Sequence, residues 1–281
     1  MRVVILGSND HAISLALSLK TIATSITFFD NNNDALDIVM EEIDNTLDER
    51  PVLKRKYKYC STLSLDPNLP VVVFEYLPDN KEKLEIIKDI NREIPRGSLF
   101  FTTSKIYSVS KIASLSNDPK SIIGLQYLQL FEKTKIVELI KGIHTSQKVV
   151  EKAEWILSEL GKEITKVKDS PGFLLNRMTL ILINEAIHLL YEGVASPNEI
   201  DREMELALGL EYGPLKLADH IGLDTVLKML NSFYKGTGNP KFLPCSLLQN
   251  MVYSGYLGKK TNSGFYSYSA EILSFPHLKA F

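Results

Sequence analysis

Short apolar runs alternate with helical patterns through the first half of the chain. The runs cover residues 3–6, 25–29, 71–74 and 99–102. Continuous stretches of Val, Ile and Phe are typical of strands that are buried on both faces of a parallel sheet. Between the runs, apolar residues recur at helical spacing over residues 12–21 and 80–91. The alternation predicts an α/β fold, an open parallel sheet with helices on both faces.

The pattern changes near Lys168. The sequence Asp169-Ser170-Pro171 predicts a helix start, because a capping hydroxyl precedes a proline at the first helical position. Strand-like runs disappear after this point and helical patterns dominate. We therefore predict two domains, an α/β domain over residues 1–168 and an all-helical domain over residues 169–281.

The composition is that of a soluble globular protein, with 44% hydrophobic and 23% charged residues among 281. A formal charge of −2 argues against nucleic acid as a partner. The most apolar later segment, residues 178–190, is interrupted by polar residues and too short to span a membrane. Cys60 and Cys245 suggest neither disulfides nor metal ligands. Because no secretory signal pattern is present either, we expect a cytoplasmic protein without a metal.

The loop after the first run resembles a dinucleotide-binding loop. Gly7 and Ala12 occupy the first and third positions of the G-x-G-x-x-G/A pattern. Asn9 stands at the second glycine position, where the backbone approaches the pyrophosphate. Asn is a mild replacement there because it tolerates positive φ. Asp10, by contrast, places a carboxylate where the helix N-terminus would bind phosphate.

Asp30 follows the second run, 23 residues after Gly7. A carboxylate at this place is suited to the ribose hydroxyls of NAD and repels a 2′-phosphate. The sequence thus predicts NAD as the cofactor, with binding weakened by Asn9 and Asp10. The alternative is a sheet of the same type that keeps Gly7 for its turn and holds no cofactor tightly.

Four blocks of sequence in the second half resemble the L-3-hydroxyacyl-CoA dehydrogenase family. They read K-V-K-D-S-P-G-F-L-L-N-R, N-E-A-I-H-L-L-Y-E-G-V-A-S-P-N-E-I-D, Y-G-P-L-K-L-A-D-H-I-G-L-D-T-V and G-Y-L-G-K-K-T-N-S-G-F-Y-S-Y, between residues 166 and 268. The resemblance implies a Rossmann-type NAD-binding domain followed by a helical domain that forms a homodimer. It also implies NAD-dependent oxidation of the 3-hydroxyl of an acyl-CoA ester.

The family's catalytic centre is a His held by a Glu, with a Ser and an Asn that contact the reacting group of the substrate. By resemblance, Glu138 matches the Glu and Asn176 matches the Asn. The His position, twelve residues before Glu138, holds Gln126. The Ser position holds Lys105, and Ser104 restores a hydroxyl only if the loop shifts by one residue.

Gln126 has no proton that titrates near neutral pH, so it cannot act as a general base. We therefore expect weak or absent turnover, unless Glu138 acts through a water or burial lowers the pKa of Lys105 enough for it to serve as the base. An inactive homologue remains open, acting as an acyl-CoA-binding, nucleotide-binding or structural subunit. An oxidoreductase for hydroxy acids without CoA also remains open, because residues 31–68 are fewer than in the family.

Overall fold

The computed structural model describes residues 1–47, 51–127 and 133–268. Within these ranges the chain forms one eight-stranded sheet. Its strands are β1 (Arg2–Leu6), β2 (Ser25–Phe29), β3 (Tyr57–Cys60), β4 (Val72–Glu75), β5 (Leu99–Thr102), β6 (Ile122–Gln126), β7 (Ile136–Lys141) and β8 (Glu163–Lys168). The helices are α1 (Asp10–Ser18), α2 (Asn33–Thr46), α3 (Pro51–Lys54), α4 (Lys81–Glu93), α5 (Val109–Ala113), α6 (Gln147–Glu159), α7 (Leu175–Tyr191), α8 (Pro197–Leu208), α9 (Pro214–Ile221), α10 (Leu223–Thr237) and α11 (Ser246–Tyr253).

The strand order is β3-β2-β1-β4-β5-β6-β7-β8, and every neighbouring pair is parallel except β6 with β7. The strand β1 pairs with β2 on one side and with β4 on the other. The order of winding reverses at this point, so a crevice opens at the carboxyl ends of β1 and β4. The predicted α/β sheet is confirmed, and β3, β6, β7 and β8 extend it beyond the strands that the sequence indicated.

Alternate residues of β1 enter two different hydrophobic cores. Val3 and Ile5 pack into one core, while Val4 and Leu6 pack into the other. All four side chains are at most 2% exposed. The strand is thus covered by helices on both faces, which explains why its sequence is apolar at every position instead of alternating.

The helix start predicted at Asp169-Ser170-Pro171 is wrong, since α7 begins at Leu175. The Asp169 carboxylate instead accepts hydrogen bonds from the backbone N–H groups of Val109 and Ser110, the first residues of α5. Positive φ angles at Gly172 (76°) and Phe173 (53°) also interrupt any helix there.

The described part of the chain divides into two compact units, and the first runs from Met1 to Leu175. The division falls within the first turn of α7, seven residues beyond the boundary at residue 168 that the sequence suggested. The segment between the two positions belongs to the first unit because Asp169 caps α5. None of the described helices is both long and apolar enough to cross a membrane.

Two buried aspartates organise the second unit. Asp201 on α8 accepts a hydrogen bond from the N–H of Leu215 on α9, and Asp219 accepts one from the N–H of Phe265. Tyr266 joins the two carboxylates, because its hydroxyl donates to Asp201 and its N–H donates to Asp219. Burial raises the pKa of Asp219 to about 6. The aromatic segment near the end of the described chain therefore fixes α8 and α9 through polar contacts as well as by packing.

Candidate active site

The loop after β1 lies directly against the backbone that follows β4. Gly7 adopts φ of +99°, and its N–H donates to the carbonyl of Phe29 at 2.9 Å. A Cβ atom at this position would lie 2.9 Å from the carbonyl carbon and oxygen of Tyr76. Only glycine fits both the backbone angle and the space.

Asn9 does not need a positive φ angle, so that part of the sequence argument is wrong. Its backbone is extended, with φ of −149° and ψ of 170°, and it caps the N-terminus of α1. The side-chain oxygen accepts from the N–H of Ala12 at 3.1 Å, and Nδ2 donates to the carbonyl of Tyr76 at 2.9 Å. Asn9 therefore uses one of the helix N–H groups that a phosphate would otherwise receive.

The loop and the end of β2 have the arrangement that a dinucleotide needs. Leu6 and Phe29 are register partners, so Gly7 and Asp30 follow adjacent parallel strands at the same edge of the sheet. One oxygen of Asp30 accepts from the N–H of Asn32 at 3.0 Å, and the residue is half-buried. These features fit NAD, with Asp30 toward the ribose and α1 toward the pyrophosphate. The Asn9 cap and the carboxylate of Asp10 in the first turn of α1 oppose it.

Gln126 and Glu138 face each other across the antiparallel pair of β6 and β7. Both side chains are buried. The Nε2 atom of Gln126 donates to the carbonyls of Thr103 and Ser104 at 2.7 and 2.9 Å. Its amide is thus tied to the loop that follows β5, and in the described residues it forms no hydrogen bond to Glu138.

The carboxylate of Glu138 is only partly satisfied. Its Oε1 atom accepts from the N–H of Leu175 at 2.6 Å, while Oε2 is buried and has no hydrogen-bond partner among the described residues. Burial raises the pKa of Glu138 in spite of the backbone hydrogen bond. Within the described ranges, no histidine donates a hydrogen bond to this carboxylate.

Asp79 holds Ser104 and Lys105, the two residues considered for the position of the family's Ser. Its Oδ1 atom accepts from the hydroxyl of Ser104 at 2.6 Å, and its Oδ2 atom accepts from the N–H of Lys105 at 2.7 Å. Ser104 is 2% exposed and its hydroxyl is engaged by Asp79. These bonds oppose the one-residue shift that would bring Ser104 to the position of Lys105.

A buried ion network lies next to this loop, and sequence reasoning missed it. Lys83, which is 1% exposed, lies 3.0 Å from Glu75 Oε1 and 2.7 Å from Asp79 Oδ1. Glu75 is fully buried, and its Oε2 atom accepts from the hydroxyl of Thr102 at 2.8 Å. The available signal was Glu75 itself, a carboxylate that directly continues the apolar run of β4.

The structure thus brings most of the predicted residues together at one edge of the first unit. The loop with Lys105 contacts Gln126, and Gln126 lies opposite Glu138. Asn176 is the first residue of the second unit. Its side chain is buried, and its Nδ2 atom has no hydrogen-bond partner among the described residues.

A Rossmann-type sheet with a glycine turn at its switch point, followed by a helical unit, defines the class of nucleotide-binding oxidoreductase folds. The sequence model of the 3-hydroxyacyl-CoA dehydrogenase NAD-binding domain matches residues 3–170, and that of the C-terminal domain matches residues 172–268. The chain belongs to the 3-hydroxyacyl-CoA dehydrogenase family.

Individual relatives agree with this assignment. A protein of Bacillus subtilis described as a probable 3-hydroxybutyryl-CoA dehydrogenase is 38% identical over 198 residues, or 70% of this chain and 69% of that protein. The 3-hydroxybutyryl-CoA dehydrogenase of Clostridioides difficile is 28% identical over 96% of this chain and 100% of its own length. The crystal structure of (S)-3-hydroxybutyryl-CoA dehydrogenase from Ralstonia eutropha has a TM-score of 0.85 and 30% identity, covering 95% of this chain and 99% of that one.

The ion network gives a prediction for stability. Replacing Lys83→Met leaves Glu75 buried without its cation, so we expect a loss of about 3–5 kcal/mol in the free energy of unfolding. The loss should shrink as the pH falls, because the buried Glu75 then takes up a proton in the folded state and is no longer charged. Urea unfolding at pH 5 and pH 8 measures both effects.

The matched control is the double variant Lys83→Met/Glu75→Gln, which removes the fully buried carboxylate together with its cation. It should recover most of the lost stability, because the carboxylate that remains, Asp79, is partly exposed to solvent. A loss below about 1 kcal/mol in Lys83→Met, equal at both pH values, would contradict the network's role.

Proposed function

We propose that this chain keeps the binding sites of its family for an acyl-CoA ester and for NAD, and that its dehydrogenase turnover is weak or lost. One observation carries the proposal. Gln126 lies opposite Glu138, where the family has its His, and its amide hydrogens are donated to the carbonyls of Thr103 and Ser104.

The chemical consequence follows from the side chains. Bound NAD would supply the acceptor for the hydride that leaves C3 of a 3-hydroxyacyl-CoA. The hydroxyl proton must leave at the same time, and an amide cannot take it. General-base catalysis typically contributes about 10²–10⁴-fold, or about 3–5 kcal/mol of barrier. Glu138 and Lys105 are the alternative bases, and each needs a geometry that its present hydrogen bonds do not provide.

Restoring the family's residues should restore turnover. In the double variant Gln126→His/Lys105→Ser, an imidazole opposite Glu138 supplies a base that titrates near neutrality. We expect the rate of NADH consumption with acetoacetyl-CoA at pH 7 to rise by about 10²-fold or more over the unaltered chain.

The matched control is Gln126→Asn/Lys105→Ser, which makes two changes at the same positions without adding a base. It should stay at the rate of the unaltered chain. Rapid turnover by the unaltered chain, at a rate that the histidine variant does not exceed, would refute the proposal.

We further propose that NAD binding is weakened by the cap on α1. Replacing Asn9→Gly frees the N–H of Ala12 and removes the side chain from the loop. Calorimetry should show NADH binding about five-fold tighter, equivalent to about 1 kcal/mol. The change Ser146→Gly removes the N-cap of α6 and serves as the control, with unchanged affinity expected. Equal or weaker NADH binding in Asn9→Gly would contradict this part of the proposal.

The second candidate is an inactive homologue that serves as a binding or structural subunit. The observation that favours it is the concentration of departures at the chemistry, at Asn9, Asp10, Lys105 and Gln126, while the sheet and its cores are intact. Free thiols at Cys60 and Cys245 support a reducing, cytoplasmic location for either candidate.

We also propose that the chain forms a homodimer through its second unit. Large apolar side chains are exposed on and near α7 and α8 of this unit, with Tyr191 at 61%, Val194 at 64%, Leu206 at 74% and Leu208 at 64%. Exposed apolar patches of this kind mark interaction surfaces. Sedimentation should show a dimer that Leu206→Lys/Leu208→Lys weakens about tenfold or more, while Val52→Lys in the first unit leaves it unchanged. A monomeric unaltered chain would contradict this assignment.

A further inference from the structure

The carboxylates near the loop that carries Lys105 already have other hydrogen-bond and ion-pair partners. Asp79 binds Lys83, the hydroxyl of Ser104 and the N–H of Lys105 itself. Glu75 binds Lys83 and also accepts from the N–H of Leu77 at 2.7 Å. Among the described residues, Lys105 forms no salt bridge, although its side chain is half-buried. Its ammonium form therefore lacks the direct partner that a buried charge requires.

The backbone under Lys105 is held from two sides. Gln126 donates to the carbonyls of Thr103 and Ser104, which precede Lys105 in the chain. Asp79 accepts from the N–H of Lys105. The hydroxyl of Ser104 also accepts from the N–H of Tyr107 at 2.9 Å. The amine is therefore carried by a fixed loop at the carboxyl end of β5, close to the position of Gln126, rather than by a free surface segment.

The electrostatic surroundings favour the neutral amine. Burial lowers the pKa of Lys105, and the nearby positive charge of Lys83 lowers it further, against the opposing effect of Asp79. A desolvated lysine beside another cation is the usual arrangement of an amine that reacts with carbonyl groups. The Lys105 residue as a whole is half-buried, so part of it remains in contact with solvent.

His11 is the imidazole whose pKa responds to the charge of Lys105. Burial lowers the pKa of His11, and the positive charge of Lys105 lowers it further, while Asp10 acts in the opposite direction. The His11 ring centroid lies 5.8 Å from that of Tyr127, and Nδ1 is buried without a hydrogen-bond partner. A neutral imidazole with an unused nitrogen can accept the proton that an attacking amine must lose.

We propose that Lys105 is a nucleophilic amine that captures ketone ligands reversibly as an imine. The Nζ lone pair forms a bond to the carbonyl carbon, and the carbonyl oxygen becomes a hydroxyl. His11 takes the first proton from the attacking nitrogen and passes it to the carbonyl oxygen, which gives this hydroxyl. It then takes the second N–H proton and passes it to the hydroxyl, which leaves as water, so that one ketone and one amine give one imine and one water. The step involves no oxidation or reduction. Only the choice of a 3-ketoacyl-CoA as natural ligand rests on the proposed function.

A small diketone tests the amine without requiring a CoA site. Acetylacetone reacts with unprotonated lysine amines and gives a coloured enaminone. We expect Lys105 to be modified at pH 7 about tenfold faster than the exposed lysines, because its lowered pKa leaves a larger fraction of the side chain as the free amine. Absorbance gives the rate, and peptide mass mapping gives the residue.

Three variants sharpen this test. The change Lys105→Arg keeps the charge and should abolish the fast phase, whereas Lys111→Arg at an exposed position of the neighbouring helix α5 should leave it intact. The change His11→Gln should slow the fast phase about tenfold while Lys105 remains the modified residue. Modification confined to exposed lysines, or a fast phase that persists in Lys105→Arg, would overturn the proposal.

A second arm separates this inference from the proposed function. Calorimetry measures acetoacetyl-CoA binding, and cyanoborohydride treatment of the mixture fixes any imine as a mass increase on Lys105. Binding without an adduct from either ketone would overturn the imine proposal and leave the proposed function standing. An acetylacetone adduct on Lys105 without acetoacetyl-CoA binding would support the amine and contradict the proposed ligand.

Discussion

The register between β6 and β7 is the constraint on which the candidate site depends. It places Gln126 directly opposite Glu138, since directly paired residues of an antiparallel ladder lie within about 4.5–5.5 Å. The hydrogen bonds of Gln126 then fix the loop after β5, and this loop carries Lys105. A side chain that cannot titrate thus supports the geometry of the site, and in the function that we propose it takes the place of the family's proton acceptor.

The loop at the switch point of the sheet likewise uses polar side-chain contacts to hold its geometry. Gly7 lies against the backbone of Tyr76, and Asn9 joins the helix cap to that same residue. These contacts pack the loop tightly between β1 and β4, but they use groups that a pyrophosphate would need. The fold is therefore intact at the site where we propose that binding of NAD is weakened.

Much of the fold follows from the sequence because buried parallel strands are apolar without interruption. The limits of β2 and β5 were predicted to the residue. The strand β3 was missed because it is only four residues long and reads Y-K-Y-C, with a lysine in its middle. The cap that Asp169 provides for α5 was also missed, since it joins residues about 60 positions apart and leaves no local pattern.

The candidate site was less predictable than the sheet. The resemblance to the family's motifs singled out Gln126, Glu138 and Lys105. It did not predict which residues contact them in the folded chain. Lys83 belongs to a helix with a strongly polar sequence, where a lysine is normally exposed, so its burial could not be expected. Only the pairing of β4 with β5 brings Glu75 beside Thr102 and completes the network.

Single-turnover hydride transfer tests the central claim most directly, because it isolates the chemical step from product release. This chain and the Clostridioides difficile relative would be compared with saturating NADH and acetoacetyl-CoA at pH 7. The account predicts that this chain transfers hydride at least about 100-fold more slowly, for want of an acid or base opposite Glu138. Rates within a few-fold of each other would contradict it.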